Sequence, residues 1–358
     1  MKNIKSRILI ILFMVILAVS LSGCGSSTGI ASGVETKTFT DSAGRTVEVP
    51  VEITKIAVSG ALAQLYIFAL CPDRLAGTSN GWTQEAKKYI DEKYWNLPTL
   101  GQLYGSKGDL NVESLMDCGA QIIIDIGESK DSISEDMDEI QKKSRIPVVH
   151  IQADLQTTGG AFRMLGDLLS MEDEAEELAQ FCETVYDRSA AIADTVDKVS
   201  VLYLDGDLGQ NVLVKGSYHA ELIDMMAENI AVADAASSKG TGNEVDMEQI
   251  MNWDPDVMIF GPQSIYPILG EEPEWQSFRA IKENRYYEVP YGPKNWMGNP
   301  PSVQRYLGLM WLTKLLYPEE ADYDLCADVT EYYRLFYHHE LTKEQYDELV
   351  AESIGKMK

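Results

Sequence analysis

The chain has 358 residues, 45% of them hydrophobic, and a formal net charge of -26. This length and apolar content are enough for one large or two medium-sized hydrophobic cores. The negative charge excludes nucleic acid and anionic lipid surfaces as main partners, because both would repel the chain.

The first 23 residues have the pattern of a targeting segment. Lys2, Lys5 and Arg7 precede the apolar run ILIILFMVILAV, which is too short for a comfortable membrane span. LSGC follows and resembles the bacterial lipobox, in which the cysteine, here Cys24, is diacylated and becomes the first mature residue. Two acyl chains suffice for stable anchoring. A plain secretory signal with an incidental cysteine is the alternative. Removal of residues 1–23 takes away three positive charges and no acid, which changes the net charge from -26 to -29.

Small residues at 25–33, GSSTGIASG, predict a flexible tether. Strands and helices then alternate. KIAVSG, QIIIDIG and IPVVHI predict strands that are apolar on both faces, a pattern that indicates a parallel sheet covered by helices. SEDMDEIQKKS predicts the helix between the last two strands.

The middle of the chain interrupts this alternation. GGAFRMLGDLLSMEDEAEELAQFCETVYDRSAAIADTV contains no strand signal and no proline, and it predicts one short helix followed by one long helix. Strands resume at VSVLYLDG, DPDVMIFGP and RYYEVP, so the second half repeats the first. The last segment, DLCADVTEYYRLFYHHELTKEQYDELVAESI, is helical, and its aromatic stripe favours packing over a binding surface.

One helix-to-strand phrase occurs in each half of the chain. ESLMDCGAQIIID begins at Glu113 and EQIMNWDPDVMIF at Glu248, and each has methionine three places after the glutamate. Asn111 and Asp246 are predicted N-caps, which makes each glutamate the second residue of its first helical turn. An acid there gains about 0.3–1 kcal/mol from the helix dipole. That gain by itself would account for a glutamate at this position in both copies. The residues expected to face the core are Val112, Leu115 and Met116 in the first copy and Met247, Ile250 and Met251 in the second.

These motifs together resemble a known family. The lipobox, NVESLMDCGAQIII, the long middle helix, DMEQIMNWDPDVMIF and RAIKENRYYEVP stand in the order typical of class III ABC-transporter solute-binding proteins. Such proteins carry iron–siderophore, haem, cobalamin and related ligands. The resemblance covers about Thr38 to Pro318 and implies an α/β fold: two Rossmann-like lobes with parallel sheets, joined by one long helix, with the ligand cleft between the lobes.

The resemblance also implies a division of the chain and a partner. In the family, one glutamate per lobe docks onto arginines of a two-fold ABC permease with its ATPase, and the matching positions here are Glu113 and Glu248. The protein is then extracytoplasmic and lipid-anchored to the cell membrane. The implied divisions are a lipoprotein signal peptide at 1–23, a tether at 24–36, an N-terminal lobe at 37–156, a connecting helix at 157–197 and a C-terminal lobe with C-terminal helices at 198–358.

Ligand residues are expected in loops that follow the carboxyl ends of parallel strands, because these ends line the cleft. The loops carry basic residues, Lys294 among them, in an acidic chain, which suggests an anionic ligand. Their aromatic residues suit a flat chelate. For any single lysine, ordinary solvation is the alternative. The expected ligand-binding residues are Trp82, Tyr104, Lys107, Lys215, Tyr218, Trp296 and Arg305.

Several ligand and function classes remain open. An iron–siderophore or similar metal chelate is the main expectation; haem, cobalamin or a molybdate- or tungstate-type oxyanion would serve the same transport role. Haem would want an axial ligand, which Tyr218 or His219 could supply. No cofactor of its own is expected. No GxSxG, P-loop, GxGxxG or HExxH motif favours an enzyme, and an adhesion module would not require two matched lobes.

Overall fold

A computed structural model describes residues 33–103, 110–237 and 240–357. The strands are β1 Thr36–Thr40, β2 Thr46–Pro50, β3 Ile56–Val58, β4 Ile122–Gly127, β5 Val148–Gln152, β6 Ser200–Asp205, β7 Asn211–Val212, β8 Glu228–Asn229, β9 Asn243–Glu244, β10 Val257–Phe260 and β11 Tyr286–Glu288. The α-helices are α1 Ala61–Leu70, α2 Val112–Asp117, α3 Ile133–Ser144, α4 Thr158–Leu169, α5 Glu172–Ala193, α6 Glu221–Met226, α7 Met247–Trp253, α8 Arg279–Lys282, α9 Arg305–Leu316, α10 Leu325–Tyr337 and α11 Lys343–Leu349. Short 3-10 helices lie at Pro72–Arg74, Ala86–Lys88, Glu92–Tyr94, Tyr266–Ile268, Trp275–Ser277 and Ile354–Met357.

The first lobe is built on a three-stranded parallel sheet in the order β3-β4-β5. Its register pairs Ile56 with Ile122 and Ile124 with Val149. Every residue of β4 is buried, as expected for a strand with a helical layer on each face. A separate antiparallel hairpin, β1-β2, precedes this sheet. The three predicted strands and the helix α3 between the last two are confirmed.

The second lobe has a mixed sheet in the order β11-β10-β6-β7-β9, with β8 also paired to β6. Strands β6, β10 and β11 run parallel and repeat the arrangement of the first lobe. Strands β7 and β9 add an antiparallel edge. The predicted repeat of a parallel unit is confirmed. The sequence did not predict β7, β8 and β9, because a two-residue strand has no recognisable period.

Helices α4 and α5 connect the lobes, and α5 is 22 residues long. They confirm the predicted short helix followed by a long one. One hydrophobic core lies between the lobes and includes residues of both sheets, both connecting helices and the C-terminal helices. Each lobe has a second, outer core, formed by α2 and α3 on the first sheet and by α7 and α8 on the second.

The aromatic stripe of α10 packs inside the shared core. Phe336 lies 6.0 Å from Phe162 of α4 and 5.6 Å from Phe181 of α5, measured between ring centroids. Tyr333 lies 5.3 Å from Tyr89 of the first lobe. Helix α10 therefore also packs against the first lobe, although the sequence assigned it to the C-terminal lobe.

Helices α2 and α7 correct one prediction. Leu115 and Ile250 are fully buried, as expected, but Met116 is 54% exposed and Met251 41% exposed. The prediction that both methionines face the core was wrong. Neighbouring residues of a helix point about 100° apart, so a helix of six or seven residues that buries Leu115 or Ile250 turns the next side chain toward solvent.

The cysteines of the described part of the chain, Cys71, Cys118, Cys182 and Cys326, are free. Within the described ranges, no helix has both the length and the apolar content required to cross a membrane.

Candidate functional site

The carboxyl ends of the parallel strands of both sheets meet between the lobes. Strand β3 ends at Val58 and β5 at Gln152, and the first turn of α1 and the loop after β5 contact the C-terminal lobe. Such an edge is where α/β folds bind ligands. Hydrogen bonds between described residues join the lobes there: Ser302 Oγ donates to the Leu62 carbonyl (3.0 Å), the Tyr218 hydroxyl to the Ala153 carbonyl (2.7 Å) and the Tyr306 hydroxyl to the Leu155 carbonyl (2.6 Å).

Arg305 supports one of these links. It lies in the first turn of α9, is only 2% exposed and pairs with Glu221. Its guanidinium carbon lies 4.8 Å from the centroid of the Tyr218 ring. Burial raises the pKa of Tyr218 to about 12, so its hydroxyl remains a neutral donor to Ala153. Glu221 balances the charge of Arg305. The guanidinium therefore serves to position Tyr218, whose hydroxyl reaches the first lobe. Binding of ligand by Arg305 and Tyr218 stays a prediction.

A cavity of about 590 Å³ lies beside this network. Glu128 and Asp154 line it from the first lobe, Tyr186 from α5, and Glu221 and Asp224 from the second lobe. These carboxylates would repel the anionic part of a ligand. Among the residues that the structure describes, no group of three or more His, Cys, Asp or Glu is arranged to hold a metal ion.

Trp82 and Lys294 form a second contact between the lobes, with a different balance of charge. Lys294 Nζ lies 5.5 Å from the centroid of the Trp82 ring, which packs edge-on against Phe68 at 5.1 Å. Lys294 is half-buried, and burial lowers the pKa of its amine. No carboxylate of the described residues offsets this charge. The Trp82 indole N–H is also buried and has no acceptor in the described part of the chain. A buried indole N–H without an acceptor and an ammonium without a carboxylate, both judged among the described residues, therefore lie at one contact.

The remaining predicted ligand residues have varied positions. Lys215 is exposed, in the loop after β7. Trp296 is fully buried, and its indole N–H donates to the Gly292 carbonyl at 3.3 Å, so its ring has no free surface in this conformation. Tyr104 and Lys107 lie outside the described residues, as does Cys24. The ligand roles of these residues stay predictions.

Glu113 and Glu248 occupy equivalent positions in the two lobes. Each is exposed and is the second residue of its helix, α2 or α7. The Asn111 side chain accepts from the Ser114 backbone N–H at 3.0 Å, and Asp246 caps α7 in the same way. Both predicted N-caps are confirmed. The two helices belong to the outer layers of their lobes, so both carboxylates project from the outside of the molecule.

A buried polar group at the first sheet bears on enzymatic alternatives. Ser59 bonds to Asp125, and His150 Nδ1 lies 2.7 Å from the same carboxylate. Serine and histidine thus both contact the aspartate and not each other. A hydrolytic nucleophile requires direct contact with its base, and Ser59 has no such contact with His150. The three residues instead join β4 and β5 to the residue that follows β3.

Glu221, Asp154 and Tyr186 shape the inter-lobe region, although the sequence did not single them out. Glu221 follows Tyr218 by three residues and lies in the first turn of α6, which is a weak local signal for proximity to it. Asp154 and Tyr186 come from a loop and from the connecting helix, and nothing in the local sequence predicts that they share a cavity with Glu221.

Comparison with known proteins agrees with this architecture. The model of the family described as "Periplasmic binding protein" matches residues 59–291. Comparison with curated proteins gives no match.

Solved structures resemble nearly the whole described chain. An ABC transporter solute-binding protein from Sulfurospirillum deleyianum is 26% identical, with a TM-score of 0.79 over 87% of this chain and 98% of that one. A periplasmic solute-binding protein from Veillonella parvula is 25% identical, with a TM-score of 0.69 over 89% and 98%. The molybdate-bound periplasmic binding protein of a Haemophilus influenzae ABC transporter is 20% identical, with a TM-score of 0.68 over 86% and 99%, and shares the fold.

Proposed function

Since this chain belongs to the periplasmic binding protein family, we propose that it is the lipid-anchored receptor of an ABC importer for an anionic ligand. The family is extracytoplasmic and binds solutes for ABC transporters. The proposed ligand is an iron–siderophore or similar metal chelate, which the protein delivers to a two-fold permease. Cys24 is the proposed lipidation site; its replacement by serine should abolish partitioning of the protein into the detergent phase with lipoproteins. Unchanged partitioning would contradict the anchor.

The observation that carries the anionic ligand is the Lys294–Trp82 contact. A partly buried ammonium with no counter-charge is costly, and here burial already lowers the pKa of Lys294. An incoming anion would supply the counter-charge to Lys294 and an acceptor for the Trp82 indole N–H. Because the two residues come from different lobes, such a ligand would also hold the lobes together.

An oxyanion such as molybdate or tungstate is the second candidate. Helix α1 follows directly from β3 at the inter-lobe edge, and its N-terminus has no side-chain cap and no acidic residue in the first turn. A helix N-terminus of this kind favours a small oxyanion through its backbone N–H groups.

The two candidates can be separated by calorimetric titration with ferric catecholate and hydroxamate chelates, haem, cobalamin, molybdate and tungstate. For the best of these, Lys294→Met should weaken binding roughly ten- to hundredfold, since a charge-assisted hydrogen bond contributes about 1.5–3 kcal/mol. Lys142→Met, at an exposed position on α3, is the matched control and should bind as the wild type does. Binding to Lys294→Met within threefold of the wild type would reject this site, and binding of none of the anions would reject the anionic ligand.

Docking through Glu113 and Glu248 is supported by their equivalent, exposed positions. The double variant Glu113→Arg, Glu248→Arg should fold and bind ligand normally but fail to stimulate the ATPase of the permease in liposomes, because arginine would then face arginine. Single exposed ion pairs contribute only about 0.2–1 kcal/mol, so single alanine variants should show a small loss. Full stimulation by the double variant would leave the glutamates as helix-dipole partners only.

A further inference from the structure

We propose that Met116 and Met251, one in each lobe, are paired apolar contact points for the permease. The inference rests on the proposed function, because it assigns a second kind of contact to the same docking surface. The docking patch is defined here as Glu113 with Met116 on α2, and Glu248 with Met251 on α7.

The first support is exposure. Met116 is 54% and Met251 41% exposed, although the residue before each of them is fully buried. Exposed apolar side chains that occur singly are ordinary. In the described part of the chain, the other large exposed apolar residues lie in loops, turns, 3-10 helices or near the chain ends. Of these exposed apolar residues, Met116 and Met251 are the two that lie in α-helices, and they occupy the same position of the repeated helix-to-strand unit.

The second support is geometry. Each methionine follows its glutamate by three residues, and residues three apart lie on the same face of a helix. The patch therefore presents a carboxylate beside a thioether on both lobes. The N-caps Asn111 and Asp246 fix the start of each helix, and Leu115 and Ile250 fix which face is buried. The lobes thus present one surface twice.

This repetition identifies the kind of partner. A surface complementary to one patch needs a cationic group beside an apolar contact, and the complete partner needs that combination twice, in two-fold related positions. A permease with two equivalent subunits meets this requirement. Methionine suits such a contact because its flexible, polarisable side chain adapts to an apolar surface, and it adds apolar burial to an ion pair that is weak in solvent.

The test is methionine oxidation footprinting of the whole, unliganded protein with its cognate permease–ATPase complex held in nanodiscs. Hydrogen peroxide converts exposed methionine to sulfoxide, and mass spectrometry gives the rate at each residue. Docking should slow oxidation of Met116 and Met251 by about fivefold or more. Met357, which is 45% exposed and lies outside the patch, is the internal control and should not change.

A variant pair measures the contribution to affinity. Met116→Ser, Met251→Ser should weaken docking about tenfold or more, while Leu208→Ser, Ile268→Ser, at exposed apolar positions outside the patch, should dock as the wild type does. If the wild type docks while either methionine oxidises at an unchanged rate, the inference is overturned and the proposed function stands. If the wild type neither docks nor stimulates the ATPase, the proposed function falls, and the inference falls with it.

Discussion

Two cations lie against aromatic rings between the lobes, and they differ in what neutralises them. Arg305 lies 4.8 Å from the Tyr218 ring, is 2% exposed and pairs with Glu221. Lys294 lies 5.5 Å from the Trp82 ring, with no carboxylate of the described residues to balance its charge. Similar residue types therefore have opposite energetic roles. The arginine stabilises the link between the lobes, and the lysine carries an uncompensated charge at a cost in stability, as the proposed anion site requires.

The difference shows why a basic residue near a cleft is not by itself a ligand residue. A buried charge that the protein already pairs has little to gain from a ligand. A charge that the protein leaves unpaired gains most when a ligand arrives. We therefore expect substitutions of Arg305 and of Lys294 to change the free energy of unfolding in opposite directions.

The largest effect is expected at Arg305. Arg305→Met leaves Glu221 partly buried without its partner, and breaking a buried pair in this way costs about 3–5 kcal/mol. Urea denaturation followed by circular dichroism would measure the loss. The double variant Arg305→Met, Glu221→Gln removes both charges and should recover part of it. Costs that simply add in the double variant would show that the two residues do not interact.

A smaller effect of opposite sign is expected at Lys294. Lys294→Met removes an uncompensated charge and should raise the free energy of unfolding by about 0.5–2 kcal/mol, the range of a typical stabilising substitution. Lys142→Met should leave stability nearly unchanged, because its side chain is exposed. A destabilised Lys294→Met protein would mean that the amine has a stabilising partner, and the comparison with Arg305 would fail.

The pH dependence of this second effect follows from the lowered pKa of Lys294. The folded protein holds that proton less tightly than the unfolded chain, whose lysine has a pKa of 10.5. The charged amine of Lys294 therefore destabilises the folded protein fully at pH values below its folded pKa, and this destabilisation is lost as the pH rises from that value to 10.5. The stability difference between Lys294→Met and the wild type should therefore shrink at alkaline pH. The Arg305→Met difference should stay constant over that range, since the guanidinium remains charged.

The smallest effect is expected at Tyr218. Tyr218→Phe removes the hydroxyl that donates to the Ala153 carbonyl at 2.7 Å but keeps the ring beside Arg305. The expected cost is about 0.5–1.5 kcal/mol, the contribution of one hydrogen bond, measured by the same urea denaturation. Tyr186→Phe, in the neighbouring cavity wall, is the control and should have no effect. Equal stability of Tyr218→Phe and the wild type would show that this hydrogen bond contributes little to the inter-lobe link.

Local features of the fold were predictable because local residues determine them. The apolar run Ile122–Gly127 is a strand buried on both faces, and Asn111 and Asp246 cap the helices that begin beside them. Each depends on contacts within a few residues. The exposure of Met116 was not predictable in this way, because it depends on which side of a six-residue helix faces the sheet.

The sequence by itself determined the order of strands and helices, the two-lobed repeat with its paired glutamates, and the membership of a family. Patterns of burial, caps and turns encode these features along the chain. Only the tertiary structure decided which basic residue has a partner. Glu221 lies 84 positions from Arg305, and Trp82 and Lys294 come from opposite halves of the chain. Whether a charge is compensated depends on neighbours brought together by folding, and no local pattern records them.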